Sequence, residues 1–167
     1  MRPPLIAICA AFLFCGCSHY HLGPGSAPKF TTLFIAPVTS DALLPQWQTV
    51  LNTQLREAFL RDGRVTLAAR AADADAVLQI SLTAYDRTAV VGQPQDTGLA
   101  RRFDITLRAQ ATLLNHHTEQ AYFTHRPLTA TRGVFTDGGL AQSEYQTLPL
   151  LAAALADQAL HAALDTW

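Results

Sequence analysis

Phe103-Asp-Ile-Thr-Leu-Arg-Ala-Gln-Ala-Thr-Leu113 alternates apolar and polar residues without a break. Phe103, Ile105, Leu107, Ala109, Ala111 and Leu113 fall on one side of an extended chain. Asp104, Thr106, Arg108, Gln110 and Thr112 fall on the other. Successive side chains of a strand point to opposite faces, so this period buries one face and wets the other. Strands of an all-parallel sheet are covered on both faces and read as continuous apolar runs. Clean alternation points instead to an antiparallel sheet with one open face. Upstream, Leu78, Ile80, Leu82 and Ala84 against Gln79, Ser81 and Thr83 repeat the pattern, and Gly92-Gln-Pro-Gln-Asp-Thr-Gly98 reads as the hairpin loop between the two strands.

Working outward, Lys29–Ala36 reads as a first strand stopped by Pro37. Pro45 suits a first helical turn, where its missing N–H costs nothing. Trp47, Val50, Leu51, Leu55, Ala58 and Phe59 then keep helical spacing, with Gln48, Asn52, Arg56 and Glu57 opposite. Asp62-Gly63 ends that helix, glycine being the usual left-handed cap. Arg64–Ala69 reads as a short strand, Ala71–Asp75 as a turn or brief helix, Asn115–Glu119 as a turn, and Gln120–Arg126 as a returning strand. Asp73 and Asp75 alternate with alanine and read as solvating charges. Pro127–Gly139 is a polar, glycine-bearing stretch. Leu148, Leu151, Leu155, Ala159, Leu160 and Ala163 stripe a final helix that Pro149 either starts or kinks. The order β-α-β-β-β-β-α predicts one α+β domain over residues 29–167. Its two helices pack on one face of a mainly antiparallel sheet of four to five strands.

The N-terminus is of another kind. Arg2 precedes the apolar run Leu5–Cys15, which has the proportions of a secretory signal. The run ends Phe14-Cys15-Gly16-Cys17, similar to the lipobox of bacterial lipoproteins: a bulky apolar residue, two small ones, then cysteine. Phe14 departs from the leucine most often found there. Gly16 opens the scissile bond to the peptidase, and the thiol of Cys17 is what a thioether-linked diacylglycerol requires. The alternatives are a plain signal peptide with an incidental cysteine, or an uncleaved anchor. Residues 1–16 are expected to be removed and Cys17 to carry the lipid. By the sorting rule of such lipoproteins, Ser18 in place of aspartate implies release to the outer membrane. One acyl chain holds a protein only marginally, whereas a diacylglyceryl group plus an amide-linked fatty acid holds it essentially permanently. Residues 17–28, with two Gly and two Pro after Tyr20-His21-Leu22, read as a flexible tether.

Charge and composition remove whole classes of function. A net charge of −1 gives no field for binding nucleic acid. No H-E-x-x-H, nucleophile elbow, phosphate-loop glycine spacing or carboxylate pair beside a histidine occurs, so no enzyme, no cofactor and no metal site is expected. His19 and His21 flank Tyr20 in the tether, His116 and His117 share a turn tip, and every cysteine lies at or before position 17. Residues 148–164 lack the basic polar face of a membrane-surface helix and read as core.

Cys17-Ser-His-Tyr-His-Leu-Gly resembles the opening of the LptE family of lipopolysaccharide-assembly lipoproteins, whose mature chains begin with cysteine and soon reach aromatic-His-Leu. Ser18-His19 stands here in place of a single glycine. Weaker likenesses continue through Phe34–Pro37, Leu51–Leu55, Asp75–Ile80 and Phe103–Ala109. The resemblance implies an outer-membrane lipoprotein that assembles with, and sits in, a large LptD-like β-barrel and helps deliver lipopolysaccharide to the outer leaflet. A periplasmic auxiliary lipoprotein of a lipid-transporting ABC system would have the same shape and is the alternative. No motif transfers lipopolysaccharide contacts to single residues. Arg108, Arg101, Arg102 and Arg87 are the candidates, since guanidinium groups pair bidentately with phosphate. The competing account makes them solvated charges on the sheet. Arg108, on the polar side of the best strand, ranks first.

Overall fold

The computed structural model describes residues 28–40, 45–90, 102–135 and 140–165. The signal, Cys17, almost all of the tether, Arg101 and the 92–98 loop lie outside them. The elements are β1 (Thr32–Ile35), β2 (Thr39–Ser40), α1 (Pro45–Asp62), β3 (Thr66–Leu67), a 3-10 turn (Ala71–Asp73), β4 (Ala76–Val90), β5 (Arg102–Asn115), β6 (Ala121–Phe135) and α2 (Leu140–Leu164).

The α+β class and the two helices stand, but the sheet differs from the expected one. It has six strands in the order β3-β1-β4-β5-β6, with β2 on β4, and it is mixed. The pairs β1–β3, β1–β4 and β2–β4 are parallel, while β4–β5 and β5–β6 are antiparallel. A helical crossover returns the chain to the end from which it left, so the strand after α1 runs parallel to the one before it. The first expected strand is shorter than Lys29–Ala36 and is followed by the separate β2. The Arg64–Ala69 strand contracts to two residues.

One face of the sheet carries the core. Leu33, Leu78, Ile80, Leu82, Ile105, Leu107, Ala109, Ala111, Leu113, Leu128 and Ala130 join Trp47, Leu51, Leu55, Phe59, Leu151, Leu155, Ala159 and Leu164 of the helices in a single buried cluster. Both helical stripes pack on the core as their spacing predicts, with Val50 half-buried and the rest buried. Gly63, at φ 74°, closes α1 by donating its N–H to the Phe59 carbonyl at 3.1 Å. Just beyond, Arg64 bridges Asp62 (2.8 Å) and Asp165 (2.6 Å), tying the C-terminal ends of the two helices together. Its hydrogen bond holds Asp62 below the usual carboxylate range. Ser143–Leu164 has the length and apolarity of a membrane-spanning helix, but its apolar stripe is spent on this core.

Three irregularities interrupt the pairing, one between β4 and β5 and two between β5 and β6, the last where Leu113 faces Phe123 and Leu114 faces Ala121. In β4 the register slips between Leu82, opposite Ala109, and Ala84, opposite Arg108, leaving Thr83 unmatched. A bulge of one residue turns every later side chain over. Ala84, expected on the apolar side, therefore faces outward, and Tyr85 packs on the core in its place. In β6, Thr124 and His125 together face Thr112, and His125 takes φ 50° while donating its N–H to Thr112 Oγ1 at 3.2 Å.

The stretch from Pro127, read from the sequence only as polar and glycine-bearing, continues β6 as far as Phe135. Proline is tolerated because β6 is an edge strand and needs no donor on that side. Gln158 of α2 closes part of this edge. Its Nε2 donates to the Thr129 carbonyl at 2.8 Å and its Oε1 accepts the Thr129 N–H at 3.0 Å, as a neighbouring strand would. Arg126 donates to the Ala162 carbonyl at 3.0 Å, near the end of α2. Pro149 neither starts that helix nor ends it, lying inside the run from Leu140.

Asp75 is more than a solvating charge. Its Oδ2 accepts from the Thr31 N–H (2.9 Å), the Thr31 hydroxyl (2.8 Å) and the Thr32 N–H (2.9 Å), fastening β1 to the start of β4. The backbone donors of Thr32 and Thr31 hold its carboxyl far below the usual range.

Candidate functional site: the open face of the sheet

The polar positions of β5, and most of those on β4 and β6, lie on the side of the sheet that neither α1 nor α2 covers; Arg87 and Arg126 face the helices instead. Asp104, Thr106, Arg108, Gln110 and Thr112 of β5 run down the middle of the open side, as their alternation predicts. Opposite Thr106 stand Thr131 of β6 and Asp86 of β4. The Thr106 and Thr131 hydroxyls are 2.9 Å apart. Arg108 donates through Nη1 to Asp86. Toward the far end, Arg102 donates to Asp104 at 3.2 Å and lies 6.0 Å from the centre of the Phe135 ring. Near the other end, Thr39, Gln79, Ser81, Gln110, Thr112 and His125 line a shallow polar cavity of about 280 Å³.

The structure divides the candidate arginines. Arg102 and Arg108 share the open face, six positions and about 20 Å apart along β5 at about 3.4 Å per residue. They form no joint cluster. Arg87, inverted by the bulge, faces the helices and donates through Nε to Glu144 of α2 at 2.7 Å. Tyr85 donates its hydroxyl to the same Glu144 oxygen at 2.7 Å. Burial, then the bond to Glu144, pushes the Tyr85 hydroxyl up to about 12. Trp47, with its ring 5.5 Å from that of Tyr85, joins Gln46, Tyr145 and Leu148 around a cavity of about 330 Å³ beside this pair. Arg101 and Cys17 fall outside the described residues.

Each described candidate arginine already has a carboxylate partner. For Arg102 and Arg108 both groups of the pair are about one-third to one-half exposed. Exposed pairs of this kind contribute about 0–1 kcal/mol. A phosphate therefore exchanges a weak partner for a stronger bidentate one. Asp104 was legible beside Arg102 from their spacing of two. Asp86 was not, because its face depends on the bulge at Thr83. Among the described residues, no three His, Cys, Asp or Glu side chains converge on a metal position. His117 instead sits 3.5 Å from Asp75.

The family described as LptE, lipopolysaccharide-assembly, matches residues 30–165. Among solved structures, a protein from Xanthomonas campestris superimposes with a TM-score of 0.59 at 12% identity, covering 82% of this chain and 86% of that one. An uncharacterized lipoprotein B from Nitrosomonas europaea gives a TM-score of 0.55 at 17% identity over 86% of each chain. A hypothetical protein from Chlamydia trachomatis gives 0.53 at 10% identity, covering 79% of this chain and 94% of that one. At these identities the likeness is one of fold. No curated protein sequence matches the chain.

Proposed function

The chain belongs to the LptE lipopolysaccharide-assembly family, and from that premise we propose that it is an outer-membrane lipoprotein, lipidated at Cys17, that sits in a large LptD-like β-barrel and assists lipopolysaccharide delivery to the outer leaflet. The family match over residues 30–165 carries this reading. The open face supports it physically. Threonines, glutamines and neutralised Arg–Asp pairs suit a surface bathed in the water of a barrel lumen, while the helices keep the core together behind it. Arg108 and Arg102 are its phosphate contacts, with Arg101 as a third. Arg87 is the weakest of the four, because it is engaged by Glu144 on the helix side.

The lipid anchor and the partner are tested separately. Cys17→Ala abolishes incorporation of labelled fatty acid and leaves an unprocessed precursor; persistent labelling contradicts lipidation at Cys17. The full chain, tagged at its C-terminus and extracted in mild detergent, brings down a large outer-membrane barrel. Recovery of inner-membrane permease subunits alone overturns the barrel assignment and favours an auxiliary role in lipid-transporting ABC systems.

A further inference from the structure

Gly133 sits in the exposed half of β6, opposite Asp104. Glycine weakens a strand, and in such a position it commonly marks a close approach by another group. The left-handed backbone that favours glycine is found at Gly63 and not at Gly133. Conformation therefore does not explain the residue, but its surroundings do. A Cβ placed on Gly133 would lie 2.8 Å from Nε of Arg102, 2.9 Å from Nη2 and 3.1 Å from Cζ. Arg102 itself starts opposite Phe135, so its side chain runs diagonally over β6 and rests its guanidinium on the bare Gly133 backbone. Asp104, at 3.2 Å, and the Phe135 ring, at 6.0 Å, complete the seat. Phe135 is 62% exposed, an apolar surface beside a cation.

We infer that Gly133 is a positioning residue for Arg102: by lacking a side chain it keeps open the floor on which the guanidinium lies, and so fixes that group at the end of the open face for a phosphate oxygen of an anionic lipid. The phosphate role rests on the function proposed above; the positioning role rests on the contacts alone. Arg108 has no such seat, since its aspartate partner is the only group that holds it among the contacts described. The displaced group in any Gly133 substitution is the far end of a flexible side chain, which can swing into solvent. Gly133→Ala therefore moves Arg102 without disturbing the fold.

The test uses the full lipidated chain in detergent micelles, with the Nε–Hε signal of Arg102 identified by its loss in Arg102→Lys. In the unsubstituted chain this signal is expected away from the free-arginine position, because the guanidinium lies against the Gly133 backbone beside Asp104 and the Phe135 ring. Gly133→Ala returns it to the position of a free arginine while Tm is unchanged. A signal that stays in place in Gly133→Ala overturns the positioning role, whatever the lipid data. Capture on immobilised lipopolysaccharide falls about tenfold in Gly133→Ala and in Arg102→Ala, the loss expected for one charged hydrogen-bonding contact. The double variant loses no more than Arg102→Ala. A further loss in the double variant shows that Gly133 acts through something other than Arg102 and contradicts the inference. A moved signal with undiminished capture in both single variants removes the phosphate role and keeps the positioning one. Inorganic phosphate alone serves as the second probe. If it shifts the Arg102 signal, the site reads phosphate as such; if only lipopolysaccharide does, the lipid part and Phe135 are required.

Discussion

The two faces of β5 share one backbone and one set of hydrogen-bonded neighbours, yet they answer to different demands. Inward, Ile105, Leu107, Ala109, Ala111 and Leu113 are almost wholly buried and touch the helices or the core around them. Outward, Asp104, Thr106, Arg108 and Thr112 meet groups of β5 itself and of the adjoining strands, not the helices, and their ion pairs are exposed. The energy that holds the fold is thus on one face. The other face is free to carry charges and hydroxyls for a partner, because little stability depends on which ones stand there.

Substitutions along the strand make that contrast quantitative. Leu107→Ala removes a fully buried side chain. It is expected to cost about 2–5 kcal/mol, measured by denaturant unfolding in micelles. A cost below 1 kcal/mol would mean that the inner face is not the load-carrying one. Asp75→Asn is next. Folding depresses the Asp75 carboxyl below its ordinary 3.8, so its contribution is complete above that value and is lost as the pH falls toward the folded one. The variant therefore has a lower Tm than the unsubstituted chain at pH 7, by less than Leu107→Ala, and the gap narrows below about pH 3.8. An equal gap at pH 3 and pH 7 would show that the charge of Asp75 is not what clamps β1. Arg108→Glu is the smallest in stability, within about 0.5 kcal/mol, while lipopolysaccharide capture falls about tenfold. Unchanged capture removes Arg108 from the contact surface.

Periodicity was enough to predict most of the inner face. The stripes from Trp47 to Phe59 and from Leu148 to Ala163, and the β5 alternation, lie where their spacing puts them, because burial acts on every turn of a regular element. What it could not reveal depended on pairing. The parallel strands are too short to show a period, since Thr66–Leu67 and Thr39–Ser40 have two residues each. The bulge at Thr83 has no local sign, yet it decides that Arg87 meets Glu144 and that Asp86 meets Arg108. Pro127 and Gly133 look like loop residues until β6 is known to be an edge strand crossed by Arg102. The candidate arginines were therefore legible as residues but not as a site. Their faces and partners follow from cross-strand register, which no single strand contains.

Photo-crosslinking from the two sides of the molecule tests the proposed role of the open face directly. A benzoylphenylalanine replaces Thr106, at the middle of that face, in one strain, and Glu57, on the exposed side of α1, in another. Irradiation of intact cells should join the Thr106 variant to a large outer-membrane β-barrel, in a product identified by mass spectrometry, with far less from Glu57. Cross-links to the barrel from Glu57 alone would contradict the account, as would cross-links from Thr106 to inner-membrane proteins only.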